Sequence, residues 1–273
     1  MRLRILRNCF ALILLIAPAG LMAQLRPIDP LDWRPFDSPA PVLLEFGFGL
    51  LRDQHASLAG TKGTLYELGN FHVAWRTGRV VLELSGTASR RFEDQVVLRE
   101  PALGADQPNG ELRRDAGDVR ASTLILLNAA EQRATFVLRF GTRLPTTSEE
   151  IGLDRDRTDF FATVGGRYRL GPLALNGESG VAINGTRLAG YDQSDVWTYS
   201  FGIEYDVGPL TPTAVIVGHQ DGHSWVARGN EDLSELRVGV RAGGRYWLQA
   251  TAVKGIAAFS PGGGMLLMAG LRR

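Results

Sequence analysis

The chain has 273 residues with 30 basic and 29 acidic side chains, a formal charge of +1, and a single cysteine. So even a balance excludes the basic footprint of a nucleic-acid-binding protein. The length allows one large β domain or two smaller ones.

The chain opens Met1-Arg-Leu-Arg-Ile-Leu-Arg7, continues through an apolar run from Phe10 to Ile16, and reaches the small-residue stretch Leu21-Met22-Ala23. Residues 1–23 read as a cleaved secretory signal peptide. A membrane-anchoring helix needs roughly 20 apolar residues, and Pro18 and Gly20 interrupt this one. Cys9 leaves with the signal, so disulfides and cysteine catalysis are excluded. Removing Arg2, Arg4 and Arg7 as well leaves 27 basic against 29 acidic side chains, a nearly neutral mature protein.

Residues 24–40, with Pro27, Pro30, Pro35 and Pro39, read as an extended periplasmic arm. From residue 41 to 273 the period is that of strands, not helices. In Trp197-Thr-Tyr199-Ser-Phe201-Gly-Ile203-Glu-Tyr205 every odd position is large and apolar and every even one is small or charged. Ala134, Phe136, Leu138 and Phe140 alternate with Thr135, Arg139 and Gly141, and Leu236, Val238 and Val240 with Glu235, Arg237, Gly239 and Arg241. Soluble antiparallel sandwiches alternate too, so connection lengths and aromatic placement have to decide.

The pattern predicts twelve strands, at 41–52, 64–77, 79–92, 117–130, 131–143, 157–170, 171–184, 194–207, 209–221, 231–242, 244–255 and 263–272. Connections after even strands are tight, as at Thr77-Gly78 and Leu170-Gly171-Pro172, and those after odd strands are longer. An outer-membrane barrel has that asymmetry between its periplasmic turns and external loops. Residues 53–63 and 93–116 have room for further strand. Trp75, Tyr168, Tyr205 and Tyr246 fall near the short-turn end of the apolar face, and Phe140, Phe160 and Trp197 near the long-loop end. Two such levels are the aromatic girdles of a barrel in lipid.

Gly141-Thr-Arg-Leu-Pro145-Thr-Thr147, Thr158-Asp-Phe-Phe161, Leu175-Asn-Gly-Glu-Ser-Gly180 and Ile183-Asn-Gly185 resemble the phenol-degradation MetA-like outer-membrane protein family. The resemblance covers best about residues 139–205 and implies porin-like uptake of small organic molecules, often aromatic. The ending Met268-Ala-Gly-Leu271-Arg-Arg273 departs from the terminal aromatic common in such barrels, with Leu271 in its place on the lipid face.

Strand parity turns Arg76, Arg133, Arg139, Arg167, Arg169, Glu178, Glu204, Arg237, Arg241 and Arg245 inward as pore-lining residues. Ionisable groups at membrane depth face water or one another whatever the function. One reading is a plug of salt-bridged side chains. The other is a basic ring of Arg76, Arg133, Arg169, Arg241 and Arg245 near the short-turn end, favouring organic anions.

Catalytic and metal signals are weak. His219 and His223 have helical metal-ligand spacing but lie at a strand end and loop, Ser224 beside His223 lacks a nucleophile elbow, and Asp154-Arg-Asp156-Arg-Thr-Asp159 lacks the glycine and glutamate of a calcium loop. No catalytic residue, cofactor or metal is expected. The expectation is a transmembrane antiparallel up-and-down β-barrel in the outer membrane of a Gram-negative-type bacterium, both termini periplasmic. It passes small organic solutes, and its partners are outer-membrane lipid and the outer-membrane assembly machinery. The alternatives are a closed barrel with ligand-binding loops and, third, a lipid-modifying enzyme.

Overall fold

The computed structural model describes residues 25–102, 105–106, 112–129, 132–154, 157–185, 193–221 and 230–273. The expected signal peptide lies outside the described residues, as do Asp156, His223 and Ser224. After a short helix, α1 (Arg34–Asp37), come thirteen strands. They are β1 (Val42–Ala56), β2 (Thr61–Thr77), β3 (Val80–Val97), β4 (Leu112–Asp115), β5 (Val119–Leu126), β6 (Ala134–Leu144), β7 (Asp159–Leu170), β8 (Leu173–Gly185), β9 (Gln193–Tyr205), β10 (Leu210–Asp221), β11 (Leu233–Gly243), β12 (Tyr246–Gly255) and β13 (Gly263–Arg272). Twelve of them pair antiparallel with their neighbours, and β1 closes the circle against β13. The four-residue β4 continues the edge of β3 above β5.

Every predicted strand has its counterpart, displaced by a few residues at the ends. The one change in plan is at the loop end of β1 to β3. Residues 53–63 do hold extra strand, so the connection after β1 is the tight turn 57–60 and not a long loop. At the opposite end, Gly171 (φ +61°) and Gly208 (φ +58°) occupy the left-handed region with open space where a Cβ would stand. Their requirement is conformational.

The distribution of side chains settles sandwich against membrane barrel. Phe201 is 60 % and Leu248 68 % exposed, and Phe46, Val164 and Tyr246 stand on the same outer face. Arg139, Arg143, Glu178 and Glu235 are buried inside. Apolar outside and charged inside is the arrangement lipid imposes, and soluble monomers rarely expose large contiguous apolar patches. All seven girdle aromatics point outward, from Trp75 at 40 % to Tyr246 at 67 % exposure.

The arm does not extend away from the barrel; it runs through it. Leu25 packs at the loop end with Leu51, Ala56, Leu65, Phe92 and Leu153, while Trp33 and Phe36 pack at the short-turn end with Leu43, Ala74, Val81 and Trp247. Arg273 pairs with Val42 at that same short-turn end, so Leu25 and the C-terminus stand at opposite ends of the barrel. The segment expected as an extended periplasmic arm thus lies, from residue 25 on, inside the barrel. The physical reason lies in the composition of the segment: its Leu, Trp and Phe gain from burial, and its alternating charges meet opposite charges on the wall. The wall makes room at Gly165, where a Cβ would come within 3.0 Å of Leu31 Cδ1.

A larger side chain there tests the threading. Gly165→Leu is expected to fold into a barrel that still shifts on a gel with heating, but with the arm displaced and chymotrypsin cutting after Trp33 or Phe36. An arm as protected as in the wild type would show that it does not pack against β7.

Candidate functional site: the lumen

Inward strand positions and the arm together build three tiers of ion pairs. At the loop end, Arg90 reaches Asp154 at 2.7 Å and Asp118 at 3.0 Å, and Arg143 reaches Asp154 at 3.0 Å and Asp159 at 2.6 Å. Asp154 comes from the loop between β6 and β7, which folds inward: Leu153 joins the loop-end cluster and Arg113 donates to the Ile151 carbonyl at 2.7 Å. Just below, Arg26 of the arm bridges Glu67 at 3.1 Å and Glu235 at 2.9 Å, and Arg237 bridges Glu235 at 2.8 Å and Asp29 at 2.7 Å.

The middle tier ties the arm's backbone to the wall. Glu178 accepts from the Leu31 amide at 2.9 Å and from Thr163 at 2.5 Å, with Arg139 at 3.4 Å. Arg139 also donates to the Asp29 carbonyl at 2.9 Å. Arg34 holds Glu45 with two bonds of 2.6 Å and Asp32 at 2.8 Å, and its guanidinium lies 5.3 Å from the Trp247 ring centroid. The two ring nitrogens of His72 face Glu45 at 3.1 Å and Glu83 at 3.3 Å. Asp32, Glu45 and His72 place ligand-type atoms within 4.8 Å of one another. A metal ion would have to displace Arg34 from both carboxylates, so the donor set fits an ion-pair cluster better.

At the short-turn end Asp37 closes α1 and takes Arg167 at 2.5 Å as well as Arg169. Arg167 also meets Glu204 at 3.3 Å. Arg76 donates to the carbonyls of Pro35, Phe36 and Ser38 at 3.1–3.3 Å.

Of the pore-lining residues expected from parity, Arg139, Arg167, Arg237, Arg241, Glu178 and Glu204 do face the lumen. The basic ring does not form. Arg133 and Arg245 are exposed in the short turns, Arg245 lying over the Tyr246 ring, and Arg76 and Arg169 are engaged by the arm. The reason is that strands end one residue short of these two positions, where the backbone turns and parity no longer orients the side chain. What parity could not supply were Arg26, Asp29, Asp32, Arg34 and Asp37 of the arm and Asp154 of the loop. The visible signal was the arm's own pattern, charges every two or three residues between Leu31, Trp33 and Phe36.

The arm leaves part of the lumen free. A cavity of about 280 Å³ lies between it and the inner faces of β2, β3 and β10 to β13, and a smaller one of about 100 Å³ lies beside β8 to β10. The larger is lined by seven arginines and seven carboxylates. Six of the seven arginines form ion pairs; Arg241 forms none among the described residues. Thr213, Gln249 and Thr251 lie on the adjacent strands, with Leu266 and Met268 next along the wall.

No protein-family model matches the sequence, and no curated protein aligns with it significantly. Among solved structures, an outer-membrane channel from Pseudomonas putida F1 superposes with a TM-score of 0.54 at 12 % identity, over 94 % of this chain and 96 % of that one. Outer membrane phospholipase A from Escherichia coli gives 0.46 at 10 % identity, over 92 % and 98 % of the two chains. CdiB from Acinetobacter baumannii gives 0.33 at 9 % identity; 85 % of this chain aligns and spans only 60 % of that protein. At such identities a likeness speaks to fold alone, and of the three the P. putida channel carries it: the chain has an outer-membrane β-barrel fold.

Glu235 is fully buried between Arg26 and Arg237, which makes it the sharpest test of the ion-pair tiers. Glu235→Leu leaves Arg26 with Glu67 alone and Arg237 with Asp29 alone, and is expected to lower unfolding stability in lipid by up to about 3–5 kcal/mol, the cost of removing one partner from a buried ion pair. Adding Arg26→Met should recover part of that loss. A single variant as stable as wild type in urea titration would show that the tier contributes little.

Proposed function

We propose that the protein is an outer-membrane channel that admits small organic solutes, anions preferred, along the side of the lumen that its arm leaves free. The observation that carries this reading is Arg241, the cation of the larger cavity's lining without an ion-pair partner among the described residues. The other six lining arginines are held in ion pairs with carboxylates, which leaves the Arg241 guanidinium to take the anionic group of a solute. An arginine at a narrow point attracts anions, and its planar fork suits a carboxylate. Leu266 and Met268 beside Gln249 and Thr251 add an apolar wall for the body of an organic acid. The resemblance of residues 139–205 to the phenol-degradation MetA-like proteins agrees with this reading and suggests aromatic carboxylates as solutes.

A second reading, a closed barrel with its arm as a permanent plug, is favoured by the ion pairs of Arg26, Asp29, Arg34 and Asp37 with the wall. A lipid-modifying enzyme has less support. His219 points into the lumen with Nε2 at 3.0 Å from the Glu231 carbonyl, away from the lipid boundary where such an enzyme meets its substrate.

Planar-bilayer recording under a salt gradient separates these readings. The refolded protein is expected to give small, anion-selective openings; Arg241→Ala should reduce the anion preference, and removal of residues 25–38 should raise conductance severalfold. Equal passage of matched anionic and cationic solutes would remove the charge preference. Insertion without conductance, restored only when the arm is deleted, would establish the plugged barrel instead.

A further inference from the structure

On the outer wall, the loop end of β1 to β4 departs from the apolar pattern. Tyr66 of β2 is on the lipid face, 37 % exposed. It lies nine residues from Trp75 of the short-turn girdle. At ~3.3 Å per residue and a tilt near 40° that separation is about 23 Å along the barrel axis, close to the ~25 Å apolar band of such barrels. Tyr66 therefore belongs to the second girdle, at the level of lipid headgroups.

Its cross-strand neighbour on β3 is Arg91, and the neighbour of Arg91 on β4 is Arg114. Both arginines are exposed, while Arg90, Phe92 and Arg113 beside them in sequence turn inward and are buried. Arg52 of β1, two residues beyond the Leu50 that pairs with Tyr66, is exposed on the same outer face. Among the described residues the side chains of Arg52, Arg91 and Arg114 make no ion pair or hydrogen bond. Glu93 follows Arg91 two residues nearer the loop end and is exposed as well, yet it pairs with neither arginine.

Directly opposed like charges on a sheet face are destabilising. Here two guanidinium groups share such a position at the membrane surface, where an anion bridging them relieves the repulsion. Phosphate accepts paired guanidinium bonds particularly well. Below the row the wall is apolar again at Leu68, Phe48 and Phe46, as acyl chains hanging from a bound headgroup require.

We propose that Arg91 and Arg114, flanked by Tyr66 and Arg52, form a binding site on the outer wall for the phosphate headgroup of a membrane lipid in the leaflet at the loop end. This rests on the barrel fold and not on transport, so a barrel that never conducts leaves it standing.

Native mass spectrometry of the detergent-solubilised protein tests it, with phosphatidylglycerol and diacylglycerol of matched chains as probes. The wild type is expected to retain phosphatidylglycerol well above diacylglycerol. Arg91→Gln with Arg114→Gln should lower that retention about tenfold through the loss of charge-assisted bonds, while Arg91→Lys with Arg114→Lys keeps most of it. A gel shift on heating confirms that each variant is folded. Retention unchanged in the glutamine variant would overturn the proposal, as would equal retention of the two lipids or full displacement of phosphatidylglycerol by inorganic phosphate.

Discussion

Charge inside a sheath of lipid has to be paired or wetted, and the architecture of this protein follows from how it meets that constraint. The outer face of the barrel is given to apolar side chains, so ionisable groups at membrane depth turn inward. Twelve strands enclose more space than wall side chains alone fill. The remaining volume is taken in part by the protein's own N-terminal arm, which brings Arg26, Asp29, Asp32, Arg34 and Asp37 to wall residues of opposite sign.

The choice of cation fits this task. Of the 30 basic residues 28 are arginine, and the lumen uses their fork to bridge more than one carboxylate, as Arg26 joins Glu67 to Glu235 and Arg90 joins Asp118 to Asp154. A lysine is a point charge and suits such bridging less well. Buried pairs of this kind add little net stability compared with apolar packing. Their effect is positional: the arm is held in one register, with Trp33 and Phe36 packed at one end and Leu25 at the other.

The chain segment that occupies the lumen fills only part of it. The arm is narrower than the barrel and lies against β7 and β8, where Gly165 admits it and Glu178 binds its backbone. The opposite side, toward β10 to β13, keeps a polar cavity whose arginines are all neutralised save Arg241. Charge balance that looks uniform along the sequence thus becomes uneven in space, with Arg241 left outside the ion pairs.

The sequence by itself determined the barrel. Period-two alternation, tight turns at Gly78, Gly171 and Gly208, and aromatics sorted to two levels place twelve strands and their outer faces, because each is a local property of a strand crossing lipid. Parity also oriented Arg139, Arg167, Glu178, Glu204, Arg237 and Arg241 correctly, and lost its hold at Arg133 and Arg245, where the strand stops. The path of the arm, the inward fold of the loop carrying Asp154, and the pairing that singles out Arg241 were decided only in three dimensions. They depend on contacts between residues as far apart as Arg26 and Glu235, and no local periodicity records which distant charge a given arginine will meet.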